Sequence, residues 1–590
     1  MRKTLILAAS FWMACRPGTA APETIAWRGW SDEAFELAGK DHRLVLLDLG
    51  AVWCHWCHVM EETTYRDAKV VALISDHFVP IQVDQDSRPD LSNRYEEYGW
   101  PATIIFDATG RELVKFAGYI PPARMASLLE AVVEDPTPGP SARAEAEAAA
   151  GPASLDPALK KDLEALVAAR YDRAQGGWGF SKKYLDWDSV EYGLVRAGAG
   201  DAAAETMARE TLAKSRKLID PVWGGFDQYS DGGDWDHPHF EKLAQFQAEG
   251  IRLYAEAYRR YRDPADLAAA QDIHRYVRAF LTSPEGASYV SQDADLVAGE
   301  HSAEYYALDD AARRARGVPR VDTHLYTRET AWMASADVAL YAATGERAFL
   351  DEAEAAARWI VKERSRSGGG YRHDAVDPAG PYLGDTLAAG RAFLALYGAT
   401  GERSWLRLAR SAASDFMRVF SVPGVPGYVT AVAHGRFAAP RPERDENVQA
   451  ARFLNLLYRY TGDVSDRDGA EAAMRLLAAR EVAEKFPAAS VLLVDLELTS
   501  EPTHLTVVGP RRDSRTQALL LAAAGLPGGY KRVELWDRSE GPLPRSDVEF
   551  PNLDAPAAFA CSGSRCSLPA FTPDDLRKRA AKLSAPAGSP

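Results

Sequence analysis

At 590 residues the chain exceeds what one hydrophobic core organises, and about two to four domains are expected. With 46% hydrophobic and 26% charged residues it is not a disordered chain. A net charge of −15 and the lack of any basic run exclude nucleic acid as a partner.

In chain order, residues 1–21 read as a secretory leader. Met1-Arg2-Lys3 is its basic region, the apolar stretch ending at Ala14 is too short for a stable membrane span, and Gly18-Thr19-Ala20 offers a small-residue cleavage site. The expected localisation is periplasmic or extracellular. Cys15 makes a lipid anchor the minor alternative, because of Trp12-Met13-Ala14 before it only the alanine suits a lipoprotein signal. The mature chain keeps Cys54, Cys57, Cys561 and Cys566, an even number that suits an oxidising compartment. No later segment is apolar for long enough to cross a membrane.

Residues 22–135 carry the first chemistry. A capped helix is expected up to Lys40, with Ala34, Phe35, Leu37 and Ala38 as its apolar stripe. The Val- and Leu-rich run from Leu44 ends in Trp53-Cys54-His55-Trp56-Cys57-His58, which reads as a buried strand feeding a helix that opens at Cys54. A Cys-x-x-Cys pair there is the thioredoxin-like redox arrangement. Amide dipoles at a helix N-terminus stabilise a thiolate, so Cys54 is the expected attacking sulfur and Cys57 its resolving partner. Trp53, His55, Trp56 and His58 surround the pair and tune it. A cationic His55 would favour the reduced form and raise the potential above that of ordinary thioredoxin. Three alternatives stand beside this reading. Cys54-x-x-Cys57-His58 also spells a c-type haem attachment, two Cys and two His could hold zinc although no second Cys-x-x-Cys lies nearby, and the pair could be a structural disulfide. No cofactor and no metal is the expectation. Downstream, Phe78 to Asp84 reads as a second strand, and Asp84 to Asp90 as a solvated acidic loop. Pro101 then leads a third strand to Asp107, as the cis proline beside the cysteine pair does in thioredoxin-like folds. A hairpin turn at Ala108–Arg111 leads to Leu113–Tyr119.

A Pro- and Ala-rich linker over 136–154 precedes helices joined by glycine-rich loops over 155–495. Two series of motifs alternate there. Leu340-Tyr-Ala-Ala-Thr-Gly-Glu-Arg, Leu396-Tyr-Gly-Ala-Thr-Gly-Glu-Arg and Leu457-Tyr-Arg-Tyr-Thr-Gly-Asp each end one helix and start another, with Ala257 to Asp263 as a degraded copy. Gly176-Gly-Trp, Gly224-Gly-Phe, Gly368-Gly-Gly-Tyr and Gly427-Tyr make the second series, with Gly286 to Tyr289 weaker. Repeats of this length are stacked supersecondary units, and about twelve helices close most economically as an (α/α)₆ toroid. Its candidate pocket is the densest polar stretch, with Asp234, Trp235, Asp236, His237, His239 and Glu241, joined by Asp293 and Asp295. Carboxylates flanked by aromatics suit carbohydrate binding or processing, and the competing reading is helix capping. Residues 496–590 read as a small α/β domain closed by Cys561 and Cys566, which form either a structural disulfide or a relay to Cys54.

Together these residues make the chain similar to the spermatogenesis-associated thioredoxin-like family. The resemblance rests on Cys54-His-Trp-Cys-His-Val-Met-Glu61, Val83-Asp84 with Arg88-Pro-Asp90, Gly99-Trp-Pro101, Gly224-Gly-Phe226 with Pro238-His-Phe-Glu-Lys242, Asp293-Ala-Asp295, and the two late cysteines. It implies a multidomain α/β plus all-α protein: a thioredoxin-like domain, a six-hairpin glycosidase-like toroid and a C-terminal domain. Departures are Tyr98 for a glycine, Leu243-Ala-Gln-Phe-Gln247 for Met-Leu-Tyr-Asp-Asn, and Trp332-Met-Ala334 for Trp-Asn-Gly. The expected activity is thiol–disulfide exchange with a protein disulfide or a thiol reductant, the toroid selecting the partner. A carbohydrate-binding or carbohydrate-processing toroid, with the thioredoxin-like unit as scaffold, is the alternative.

Overall fold

Alternation along one pleated strand organises the first unit. In β1 (Leu44–Gly50), Val45, Leu47 and Leu49 join Phe35 and Ala38 of α1 (Asp32–Asp41), while Leu46 joins the opposite core with Met60, Val70 and Ile74. Both faces are covered, which is why β1 reads as a nearly continuous apolar run. In this computed structural model, which describes residues 24–142, 150–377, 379–433, 440–563 and 565–584, the expected leader lies outside the described residues. The helices α2 (His55–Thr63), α3 (Ala68–His77), α4 (Pro89–Tyr95) and α5 (Pro122–Glu134) flank a sheet ordered β2 (Phe78–Asp84), β1, β3 (Ala102–Phe106), β4 (Glu112–Ala117). β1 runs parallel to β2 and antiparallel to β3, and the Trp100–Pro101 peptide is cis. The unit extends past residue 135, because Gly139 N–H donates to Leu113 O (2.9 Å) and Lys115 N–H to Ser141 Oγ (3.0 Å).

The toroid is built from α6 (Pro157–Ala169), α7 (Trp187–Gly198), α8 (Ala202–Ser215), α9 (Ala244–Tyr261) and α10 (Pro264–Phe280), then the short α11 (Ala303–Tyr306) and α12 (Asp310–Arg316). It continues with α13 (Thr327–Thr344), α14 (Arg347–Arg364), α15 (Leu383–Thr400), α16 (Arg403–Phe420), α17 (Arg444–Thr461), α18 (Val464–Leu477), the short α19 (Arg480–Ala483) and α20 (Ala489–Thr499). The helices α7, α9, α13, α15, α17 and α20 touch in that cyclic order and close an inner ring. Each packs on one outer helix, and the ring closes because α20, last in sequence, pairs with α6, the first. This is an (α/α)₆ toroid.

The two motif series mark its two ends. Gly345, Gly401 and Gly462 cap α13, α15 and α17 with φ of +80°, +66° and +72°, a left-handed turn from inner to outer helix that glycine adopts freely. Arg262 takes the same conformation in the degraded copy, at φ +56°. The glycine–aromatic loops return from outer to inner helices at the other end. There the two-residue strands β5 (Tyr229–Ser230) and β6 (Pro238–His239) pair, as do β7 (Lys242–Leu243), β8 (Ser291–Gln292) and β9 (Val321–Asp322).

The thioredoxin-like unit sits on this second end. His373 Nε2 donates to Asp86 O (2.8 Å), Asn93 Nδ2 to Thr430 Oγ1 (3.4 Å), and Lys485 pairs with Glu97. The C-terminal domain, with β10 (Thr503–Val508), α21 (Ser514–Ala524), β11 (Lys531–Trp536), β12 (Ala557–Ser562), β13 (Arg565–Cys566) and α22 (Pro573–Ser584), closes the first end. There the Arg511 guanidinium donates to Thr400 O and Gly401 O, both at 2.9 Å. No described helix is long and apolar enough to cross a membrane.

Candidate functional site: a cysteine pair facing the toroid

Cys54 is the N-cap of α2. Its Sγ accepts the N–H of Cys57 (3.2 Å), and the two sulfurs are joined in a disulfide. Gly50 lies directly beneath, where a Cβ would come 3.4 Å from Cys57 Sγ. Cys54 is only 4% exposed, packed with Ala51 and Trp53, against Trp100 of the same unit and Leu243 of the toroid, while Cys57 is half-buried.

The toroid supplies the surrounding charges. Asp295 accepts His55 Nδ1 at 2.8 and 3.0 Å, His58 Nδ1 at 3.2 Å and Gly299 N–H at 2.9 Å. His58 Nε2 faces Val52 O at 3.1 Å, so both ring nitrogens point at acceptors and the ring is held as a cation. Burial pulls the pKa of His55 and His58 down, but the bonds and charge of Asp295 outweigh it and both rise. Burial likewise pushes Asp295 up, yet its two histidines bring it down to about 2. Asp293, whose Oδ1 accepts Asp295 N–H at 2.9 Å, is raised to about 7, by burial first. Glu241 accepts the backbone N–H of His55 (3.4 Å), and its Oε2 is buried without a hydrogen-bond partner. The rings of His239 and His301 lie 6.4 and 5.8 Å from that of His55. Gly299 takes φ +79°, a left-handed conformation that glycine adopts freely, where its loop passes α2.

Thus Cys54, Cys57, His55, His58, His239, Glu241, Asp293 and Asp295 form one site across two domains. Trp53 is buried with its indole N–H on Asp86 Oδ2 (2.8 Å), and Trp56 is 39% exposed and stacked on Tyr119. Pro101 accepts Gly118 N–H on its carbonyl (2.8 Å). The other pocket residues lie apart. Trp235 is 2% exposed, its indole N–H on Gln175 O (3.1 Å) and its ring where a Cβ at Gly177 would be 2.7 Å away, so it offers no stacking face. Asp234 pairs with His237 (2.9 Å) and Asp236 with Lys217 (2.6 Å) on the surface. The stretch expected to form one pocket is split because β6 and the turn before it direct successive side chains to opposite sides.

Two further expectations change. The loop after β2 is covered by the toroid rather than solvated: Asp86 is buried, held by Trp53 and Gln85, and its carbonyl receives His373. His55 is not a free cation beside the sulfur, since Asp295 balances it, so its charge gives no reason for an oxidising shift. The sequence reading also passed over Asp48, 5% exposed on β1 and bonded by Tyr65 Oη and Gln82 Nε2, both at 3.1 Å. Residues two apart share a strand face, so Asp48 lies one step along from Gly50, on the face beneath Cys57. Burial raises it to about 6.

Among the described residues, three sets of side chains come close enough to share a cation: His58, Asp293 and Asp295; Asp84, Asp86 and Asp322; and His274, Asp337 and Glu352. In the first, Asp295 already serves two histidines. Gln247, one of the departures from the family pattern, is buried and clasps both backbone groups of Phe226, at 2.6 and 2.8 Å.

Cys561 and Cys566 form a second disulfide between paired strands of the C-terminal domain. Inner helices of 18 residues, about 27 Å long, separate that end of the toroid from Cys54. Replacing both with Ser is expected to lower stability by about 2 kcal/mol, the loop-closure value for so short a loop. Exchange at Cys54 should be unchanged; urea titration and an exchange assay on the same variant check both.

These features define a class: a thioredoxin-like domain whose cysteine pair is pressed against the mouth of a six-hairpin helical toroid. A family model described as Thioredox_DsbH, protein of unknown function DUF255, matches residues 10–134. Human spermatogenesis-associated protein 20 is 22% identical over 94% of this chain and 89% of its own length. The chain spans 43% and 39% of a nematode and a rat relative. Thiol:disulfide interchange protein DsbD of Ralstonia nicotianae is 41% identical over 93 residues, 15% of each chain. A solved sugar epimerase from a ruminal bacterium aligns at 13% identity over 54% of this chain and 86% of that one, with a TM-score of 0.43. The chain is similar to the spermatogenesis-associated thioredoxin-like family along nearly its whole length.

Proposed function

We propose that this protein is an exported thiol–disulfide oxidoreductase whose toroid selects the partner. The observation that carries the reading is the helix-capping Cys54–Cys57 pair, with Asp48 beneath it and the Asp295–His55–His58 ion pairs clamping its helix. In the reduced state the Cys54 thiolate attacks a substrate disulfide, forming a mixed disulfide and expelling one substrate thiolate. Cys57 then passes its proton to Asp48 and attacks Cys54 Sγ. The internal disulfide forms, the second substrate thiol leaves, and two electrons have moved to the substrate. A dithiol donor resets the pair. The leader-like N-terminus and the even cysteine count support export.

Because Cys54 is only 4% exposed, enclosed by Ala51, Trp53 and Trp100 of its own unit and by Leu243 of the toroid, small disulfides are the favoured substrates. With glutathione disulfide as oxidant, the reduced wild-type chain is expected to turn over and Cys54→Ser to fall to the uncatalysed rate, while Cys57→Ala accumulates a mixed disulfide. A Cys54→Ser variant with wild-type turnover would eliminate the reading. Less supports carbohydrate processing, since Trp235 is buried and Asp234 and Asp236 are paired on the surface.

A further inference from the structure

The channel through the toroid holds a cavity far from the redox pair. Toward the C-terminal ends of the inner helices, roofed by Gly528 to Val533 of the C-terminal domain, it encloses about 280 Å³. Six basic side chains line it, Arg252, Arg259, Arg260, Arg391, Arg452 and Lys531, against three acidic ones, Glu191, Glu256 and Glu497. A surplus of three cations runs against the net charge of −15.

The acids are already engaged. Glu191 bridges Arg252 (2.9 Å) and Arg452 (2.5 Å), Glu497 pairs with Arg452 (2.7 Å), and Glu256 pairs with Arg259 and accepts Gly528 N–H (2.6 Å). Arg260, Arg391 and Lys531 are left. Among the described residues Arg260 and Arg391 make no hydrogen bond or ion pair. Glu249, whose charge acts most on Arg391, is held by Arg252 at 2.6 Å. Lys531 Nζ donates to the carbonyls of Ala524 (2.5 Å) and Leu526 and to no carboxylate. Half-buried cations with no counter-charge are costly. Burial, then neighbouring guanidiniums, brings Arg391 down to about 10, and burial pulls Lys531 well below the usual lysine range. The remaining wall is apolar, with Leu194, Val338, Leu394 and Leu456.

We propose that this cavity binds a small organic anion: a carboxylate or phosphate head carried on an apolar body, with Arg260, Arg391 and Lys531 as its charge complement. Its volume is about twice the 150 Å³ that holds a benzene ring, so the body is the size of about two rings or a medium acyl chain. The site is separate from the cysteine pair and does not depend on the thiol–disulfide reading.

The test is calorimetry and thermal unfolding of the full chain with benzoate, octanoate and phenyl phosphate, each against its neutral counterpart benzamide, octanamide or phenol. At least one anion is expected to bind once per chain and raise Tm, its neutral counterpart at least about tenfold more weakly. The two head groups are told apart by which anion binds. Arg391→Met and the polar Arg391→Gln should each weaken binding at least about tenfold. By removing an unpaired charge, each should also raise the Tm of the free chain and leave exchange at Cys54 unaltered. Equal binding of anions and neutral counterparts, no binding by any of the three anions, or full affinity in both Arg391 variants would overturn the proposal.

Discussion

Asp48→Asn is expected to stabilise the folded chain at pH 7 by about 2–3 kcal/mol and to slow exchange at the cysteine pair. Burial, partly offset by the bonds from Gln82 and Tyr65, raises the Asp48 carboxyl to about 6. An acid whose folded pKa exceeds its unfolded value of about 3.9 holds its proton more tightly when folded. Its ionisation therefore costs nothing below about pH 4, grows costly as pH rises toward 6, and stays at full cost above that. Two units at about 1.36 kcal/mol each set the size. Asparagine keeps the shape, its Oδ1 accepting from Tyr65 and its Nδ2 donating to Gln82 once that amide turns over, and has no charge to desolvate. Urea titrations should superimpose the two proteins at pH 4 and separate them at pH 7; the same gap at both pH values would show that titration is not the cause. In the proposed exchange Asp48 takes the Cys57 proton, so the wild-type rate should inflect near pH 6 and the variant's should not.

Much of this was legible in the chain. Periodicity marks β1, the helix opening at Cys54 and the Pro-led β3, since a sheet covered on both faces leaves an unbroken apolar run. The threefold Tyr-x-x-Thr-Gly motif marks the inner-to-outer turns, because only a left-handed cap permits them with so little chain. What could not be read was which loops meet. Asp293 and Asp295 stand some 240 residues from His55, and only closure of the toroid brings them together. Composition alone made Trp235 a stacking platform, yet the turn between β5 and β6 sets it inward against Gly177. Asp48 was legible in principle: a lone charge at an inward position of an apolar strand must be functional or paired.

Asp295→Asn should loosen the thioredoxin-like unit from the toroid, at a cost of about 3 kcal/mol near pH 5.5. Asp295 is the shared acceptor for His55 and His58, which belong to the other domain, so its charge acts across the domain contact. His55 and His58 have folded pKa values above their unfolded value of about 6.5; their contribution is complete below that pH and lost as pH rises past the folded values. Asp295, lowered to about 2, contributes fully above about pH 4 and loses its effect as pH falls toward 2. The two windows overlap between about pH 4 and 6.5, so variant and wild type should differ most there and converge by about pH 9. Unfolding curves at pH 5.5 and 9, with proteolytic cutting between the two units as a reporter of domain separation, read this out. A gap that did not narrow with pH would mean that Asp295 acts by shaping its own loop, where it accepts the Gly299 N–H, rather than through the histidines. The same contact bears on chemistry. Separation would uncover Cys54, so the variant should gain reactivity toward bulky protein disulfides while keeping its rate with glutathione disulfide.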